Sequence, residues 1–166
     1  DWSVGRILAE LKLLDLDKNT LVIFASDNGP EVRKELGKHI GNAKPLKGGK
    51  YSNWEGGVRV PAIMRWPDRI PKGVVSREIV SLMDLYTILT HFGNGELPRD
   101  LTIDGKNILL LMFNQPGARS PHKRYFYYAI TKLQTVRTDR CKLVLPRSAD
   151  SPYMPWLGKE REKENK

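Results

Sequence analysis

Residues 21–30 read Leu-Val-Ile-Phe-Ala-Ser-Asp-Asn-Gly-Pro, an apolar run that ends in two oxygen-bearing side chains. The run predicts a fully buried strand over Thr20–Ser26. Upstream, apolar residues recur at the spacing of an amphipathic helix, at Val4, Ile7, Leu8, Leu11 and Leu14. A helix followed by a continuous apolar strand predicts an α/β layer architecture with a largely parallel sheet. Ligands of such sheets bind beyond the carboxyl ends of the strands, which is where Asp27 and Asn28 lie.

A lysine in a glycine-rich loop comes about twenty residues later, in the order Gly48-Gly49-Lys50. The run Trp54-Glu55-Gly56-Gly57-Val58-Arg59-Val60-Pro61 follows it. Carboxylate and amide oxygens suit a hard cation such as Ca²⁺, and a compact ammonium suits an oxyanion. Taken alone, Asp27 and Asn28 favour an ordinary turn, because Asx residues beside Gly and Pro are common turn-formers. Taken alone, Lys50 is an ordinary surface lysine.

In this order, the segments resemble the sulfatase family within the alkaline-phosphatase-like superfamily, from about residue 1 to residue 145. The resemblance implies part of an alkaline-phosphatase-like sheet with flanking helices, followed by a small antiparallel β subdomain. It also implies hydrolysis of sulfate esters through a formylglycine nucleophile and Ca²⁺. By the same resemblance, Asp27 and Asn28 match calcium ligands, and Lys50 matches a catalytic lysine that contacts the sulfate group. The two glycines after Glu55 are expected to form a tight turn into the next strand, with Glu55 paired to a nearby base.

The nucleophile of that family comes from a Cys-x-Pro-x-Arg signature, which this chain lacks. Its one cysteine, Cys141, is followed by Lys142 and Leu143, and is expected to be a buried or half-buried strand residue. The family's upstream aspartates also have no counterpart. We therefore interpret the chain as the C-terminal portion of a longer sulfatase and expect it to be inactive alone. Its missing N-terminal portion would complete the Ca²⁺ shell, since calcium takes about 6–8 oxygens.

The chain carries a formal charge of +9, and most of the excess lies between Glu31 and Lys72. A concentrated positive field attracts anionic substrates, here a sulfated small molecule or a sulfated carbohydrate. No nucleic-acid-binding module is recognisable, so no nucleic-acid partner is predicted. No apolar run reaches the roughly 20 residues of a membrane-spanning helix. The family resemblance implies a periplasmic, secreted or lysosomal location.

The chain is predicted to divide at residue 113. Residues 1–113 would belong to the α/β catalytic domain, and residues 114–166 would start the small subdomain and add a charged tail. Within these regions we predict a strand over Arg59–Trp66, a helix over Ser81–Phe92 and an antiparallel meander from Tyr125 to Leu145. The run 108–113 is too short for its type to be predicted.

Several alternatives stay open at this level. A phosphoesterase or phosphonate hydrolase of the same superfamily shares the sheet and the plan of the metal site. A non-catalytic polyanion-binding protein would use only the basic segment and show strongly salt-dependent binding. His39 is either a substrate-recognition residue or an exposed loop residue, and His91 and His122 have no metal-ligand spacing to a partner.

Overall fold

The computed structural model describes residues 1–32 and 41–146. Within these ranges the helices are α1 (Trp2–Leu13), α2 (Glu55–Val58), α3 (Asp84–Phe92) and α4 (Leu109–Met112), with a 3-10 turn at Asp17–Asn19. The strands are β1 (Val22–Ala25), β2 (Ala62–Arg65), β3 (Tyr125–Ala129), β4 (Lys132–Arg137) and β5 (Lys142–Val144). His39 and the charged tail predicted at the end of the chain lie outside the described residues.

The chain forms two compact units, one from Asp1–Asp27 and Pro61–Lys123, the other within Asn28–Val60 and Arg124–Lys166. The predicted division at residue 113 stays a prediction. Three local predictions are confirmed by the elements: the helix before Gly93, the strand after Pro61 and the meander from Tyr125 onwards. The run at 108–113 contains the short helix α4.

In the first unit, β1 pairs with β2 in an antiparallel ladder, with Val22 opposite Arg65 and Ala25 opposite Ala62. The parallel pairing that we expected is therefore wrong for this pair of strands. The prediction of a fully buried strand is also wrong, because Phe24 in β1 is 48% exposed. An apolar run reports the hydrophobicity of its side chains, but it contains no information on which strand lies beside it or in which direction.

The core of the first unit lies between β2, α3 and α4. Ile88 is fully buried, and Trp66, Ile108 and Met112 are at most 8% exposed. The rings of Trp66 and Phe92 pack edge to face with centroids 4.9 Å apart. The indole N–H of Trp66 donates to the Lys18 carbonyl oxygen at 3.0 Å, so its polar atom is satisfied inside an apolar cluster.

The apolar stripe of α1 is present as predicted, but α1 contains no buried residue. Trp2 and Leu13 are each 78% exposed, and Ile7 is 58% exposed. In the part of the chain that is described, no helix is both long enough and apolar enough to cross a membrane. The first unit therefore exposes apolar side chains on α1 and on β1.

The second unit contains the meander β3–β4–β5, in which each strand pairs antiparallel with the next. A short turn joins β4 to β5. It is closed by the N–H of Thr138, which donates to the Cys141 carbonyl oxygen at 2.8 Å. Cys141 lies in this turn and is exposed, which corrects the expectation of a buried or half-buried strand residue. A side chain at the tip of a two-strand connection projects beyond the sheet, so it is not covered by neighbouring strands.

Candidate active site

Asp27 and Asn28 lie just beyond the end of β1, separated from it by Ser26, at the strand end where the sequence predicted them. Asp27 is exposed and Asn28 is half-buried. The turn that follows them is fixed by the N–H of Gly29, which donates to the Gly57 carbonyl oxygen at 2.8 Å. Gly29 is buried, and a Cβ at this position would overlap the Gly56 carbonyl oxygen. Only glycine allows the two backbone segments to approach so closely.

Lys50 is half-buried and is held beside this turn through its backbone. Its N–H donates to the Pro30 carbonyl oxygen at 2.8 Å. A Cβ on the preceding Gly49 would lie 2.6 Å from the same oxygen, so the contact needs glycine at position 49. The structure therefore holds the backbone of Lys50 beside Pro30, which is two residues after Asn28. Asp27 precedes Asn28 in the chain, and His39 lies outside the described residues.

The glycines after Trp54 form a single turn of helix, α2, and not the tight turn into a strand that we expected. Both Gly56 and Gly57 are buried. The N–H of Gly56 donates to the Lys47 carbonyl oxygen at 2.7 Å. A Cβ on Gly57 would overlap the Gly49 and Ser52 carbonyl oxygens. The lysine loop, residues 47–52, thus packs directly against the backbone of α2.

Glu55 is an anchor between α2 and the meander. Its carboxylate accepts from Arg137 Nη1 at 2.7 Å and from Lys142 Nζ at 2.8 Å. The three side chains, which we call the Glu55 cluster, are only 21%, 23% and 12% exposed, in the order Glu55, Arg137, Lys142. The predicted pairing of Glu55 with a basic residue is confirmed, and the structure shows two basic partners in place of one.

Tyr127 of β3 lies beside the Glu55 cluster. Lys142 Nζ is 4.5 Å from the centroid of its ring, which is within the range of a cation–π interaction. Burial, together with the nearby carboxylate of Glu55, raises the pKa of the Tyr127 phenol to about 12. Both causes disfavour the charged phenolate.

The first unit contains a buried polar pair that was not predicted from the sequence. Asp84, at the start of α3, is fully buried and accepts from His122 Nε2 at 2.8 Å. The same carboxylate accepts from the backbone N–H groups of Ser81 at 2.7 Å and Lys106 at 2.8 Å. The pair ties three segments of the unit together. No local pattern signals it, because the two residues are 38 positions apart in the chain.

Glu78 makes a related clasp on the segment that leads to His122. It accepts from the Ser120 N–H at 2.7 Å and from Arg119 Nη1 at 3.0 Å. These two hydrogen bonds, the backbone one first, hold the pKa of the Glu78 carboxyl below its ordinary value. The Ser120 hydroxyl in turn donates to the Ile79 carbonyl oxygen, so these contacts tie two segments of the first unit together.

Among residues 1–32 and 41–146, no group of three or more His, Cys, Asp or Glu side chains is arranged to hold a metal ion. Asp27 and Asn28 are thus a pair of oxygen donors and not a complete shell. Asn28 and Lys50 lie on backbone segments of the second unit that are held together by the Gly29–Gly57 and Lys50–Pro30 hydrogen bonds.

A family model described as Sulfatase matches residues 1–94. The chain belongs to the sulfatase family. It is 42% identical over 140 residues to steryl-sulfatase of Mus musculus, a match that covers 82% of this chain and 22% of that protein. It is 41% identical over 140 residues to arylsulfatase H of Canis lupus familiaris, covering 82% of this chain and 25% of that protein. The chain thus spans about a quarter of the length of these relatives.

The fold is that of the sulfatases as well. The crystal structure of PsFucS1 sulfatase from Pseudoalteromonas sp. matches with a TM-score of 0.74 at 24% identity, covering 97% of this chain and 39% of that one. The predicted fold, part of an alkaline-phosphatase-like α/β architecture with a small antiparallel sheet, is confirmed by this match and by the meander.

Proposed function

We propose that this sulfatase chain contributes the sulfate-binding lysine and part of the calcium site to an enzyme that hydrolyses sulfate esters. The observation that carries the proposal is the hydrogen bond from the Lys50 N–H to the Pro30 carbonyl oxygen. Because Gly49 leaves room for it, this bond holds the lysine-bearing loop against the turn that contains Asn28. An oxyanion site and an oxygen-donor site then lie on one framework.

Lys50 would bind the sulfuryl oxygens of the substrate. Its ammonium is a compact point charge, which suits a tetrahedral oxyanion. As the bond between sulfur and the alcohol oxygen breaks, negative charge builds up, and a fixed cation stabilises it without reorganising. The surrounding glycine contacts hold the backbone of Lys50 in place, which supports its role as a preorganised cation.

Asp27 and Asn28 would hold Ca²⁺. The donor set fits this ion, because a carboxylate and an amide oxygen are hard ligands. The turn that carries them is fixed by the hydrogen bond from the Gly29 N–H to the Gly57 carbonyl oxygen. Bound calcium would act as a Lewis acid on a sulfate oxygen. The two residues supply about three of the roughly 6–8 oxygens that calcium takes. We propose that the remaining ligands and the formylglycine nucleophile come from further sequence of a longer protein.

We further propose a partner, a substrate class and a location for this chain. The partner of this chain would be the N-terminal portion of the same enzyme, and the substrate a sulfated small molecule or carbohydrate. The location would be periplasmic, secreted or lysosomal. The share of the relatives' length that the chain spans, 22% and 25%, supports the view that other segments complete the site.

The test is hydrolysis of an aryl sulfate by the full-length protein in the presence of Ca²⁺. Lys50→Ala should lower kcat by roughly 10²–10³, the loss typical of a preorganised oxyanion donor. Lys44→Ala is the matched control, since Lys44 is an exposed lysine of the same basic segment. Wild-type rates in Lys50→Ala, or equal losses in both variants, would contradict the assigned role of Lys50.

A further inference from the structure

Tyr51, the residue after Lys50, has an unusual backbone conformation. Its φ is +69°, in the left-handed region that bulky residues rarely adopt. The side chain is 52% exposed. Lys50 Nζ lies 5.3 Å from the centroid of the tyrosine ring, within the range of a cation–π interaction. A large aromatic ring is therefore presented to solvent beside the ammonium assigned to the sulfate group.

The two residues that follow Tyr51 are buried and hydrogen-bonded, and they hold it in this conformation. Ser52 is buried, and its N–H and Oγ donate to the Gly49 carbonyl oxygen at 3.0 Å and 2.8 Å. Asn53 is also buried, and its Nδ2 donates to Gln134 Oε1 at 2.9 Å. Strained residues persist only where the surrounding structure over-determines them, and such residues concentrate at ligand-binding sites. Glycine would adopt this φ without strain, yet the position carries a tyrosine.

We propose, resting on the proposed function, that Tyr51 is a specificity-determining residue that stacks on the ring of the substrate's alcohol. A charge-assisted contact from Lys50 to a sulfate oxygen spans about 2.8 Å. A sulfate held at that distance puts its ester-linked carbon within reach of a ring whose centroid is 5.3 Å from the same nitrogen. Tyr51 then favours sulfate esters of cyclic alcohols over those of short acyclic alcohols, through the contact area of its ring face.

The experiment measures dissociation constants in the full-length protein by ligand-observed NMR at low temperature, with phenyl sulfate, ethyl sulfate and inorganic sulfate as probes. Tyr51→Ala should weaken phenyl sulfate about 3- to 10-fold, the range of one aromatic contact, and change ethyl sulfate and inorganic sulfate less than about 2-fold. Tyr51→Phe should keep wild-type affinities, because the ring remains. Lys50→Ala should weaken all three probes.

Two further variants separate contact from folding. Tyr51→Gly removes the ring but suits the positive φ, so it should show the same selective loss with no drop in melting temperature. Tyr128→Ala removes a tyrosine of similar exposure, 56%, from β3 and should change no affinity. A uniform loss for all three probes in both Tyr51→Ala and Tyr51→Gly would make Tyr51 structural, and no loss would remove it from the substrate site.

The same data distinguish this proposal from the proposed function. If the wild-type protein hydrolyses phenyl sulfate and the Tyr51 variants do not weaken phenyl sulfate selectively, the role of Tyr51 is wrong and the sulfatase activity is supported. Selective binding of phenyl sulfate with no turnover overturns the activity and leaves the aromatic contact standing. A wild-type protein that binds none of the three probes overturns both.

Discussion

Removing the carboxylate of Glu55 should destabilise the protein by about 2–3 kcal/mol. An exposed ion pair contributes about 0–1 kcal/mol, whereas breaking a buried pair costs about 3–5 kcal/mol because a charge stays buried without its partner. The Glu55 cluster lies between these limits, since its three side chains are 12–23% exposed. Glu55→Gln leaves two cations, Arg137 and Lys142, close together without a counter-charge. Lys142→Met keeps the pair of Glu55 and Arg137 and should cost only about 1 kcal/mol.

The measurement is urea unfolding of the full-length protein, supported by melting temperature. Glu96→Gln is the matched control, because Glu96 pairs with Arg99 at 3.6 Å with both side chains more than 85% exposed, and it should cost less than about 0.5 kcal/mol. If Glu55→Gln costs no more than Glu96→Gln, the Glu55 cluster does not anchor α2 to the meander. A double mutant of Glu55 and Lys142 should show a coupling energy of about 0.5–3 kcal/mol.

Three further outcomes are expected. In the full-length protein, Asp27→Ala should lower the bound calcium measured by atomic emission. Lys50→Ala should leave the calcium content nearly unchanged, because an ammonium cannot ligate a cation. Equal calcium loss in the two variants would make Lys50 structural. The pKa of Tyr127, raised to about 12 in the folded state, lies above the ordinary value of 10, so the protein should lose stability as pH rises from about 10 to about 12. Tyr127→Phe should reduce that loss in urea unfolding, and an unchanged profile would contradict the assignment. The 166-residue chain alone should hydrolyse no aryl sulfate above a protein-free control, and turnover would contradict this prediction. The chain alone should also bind an apolar dye through exposed residues such as Trp2 and Phe24, and the absence of dye binding would contradict that expectation.

The elements that the sequence predicted well are those with a complete local signal. The helix α3 carries its apolar spacing and a terminating Gly93 within a dozen residues. The meander alternates aromatic or β-branched runs with short polar turns, and each strand pairs with its neighbour along the chain. The position of Asp27 and Asn28 just beyond a strand was likewise predicted, because the apolar run ends immediately before them.

What the sequence did not predict depends on residues far apart in the chain. Glu55 could be expected to pair with a base, but its partners Arg137 and Lys142 are 82 and 87 positions away. Asp84 and His122 form a buried pair that no spacing rule connects. The antiparallel direction of β1 and β2 likewise follows from how the chain returns to β1, which a single apolar run does not encode.

The glycines packed around the lysine loop also determine which positions of this framework tolerate substitution. At Gly29, Gly49, Gly56 and Gly57, any added side chain would meet backbone atoms, which have no rotamer by which to move aside. Tyr51 projects from the same framework, and its side chain meets solvent over half its surface. A mutant library that keeps the four glycines and randomises position 51 would therefore explore new leaving-group preferences while the framework that holds Lys50 stays the same.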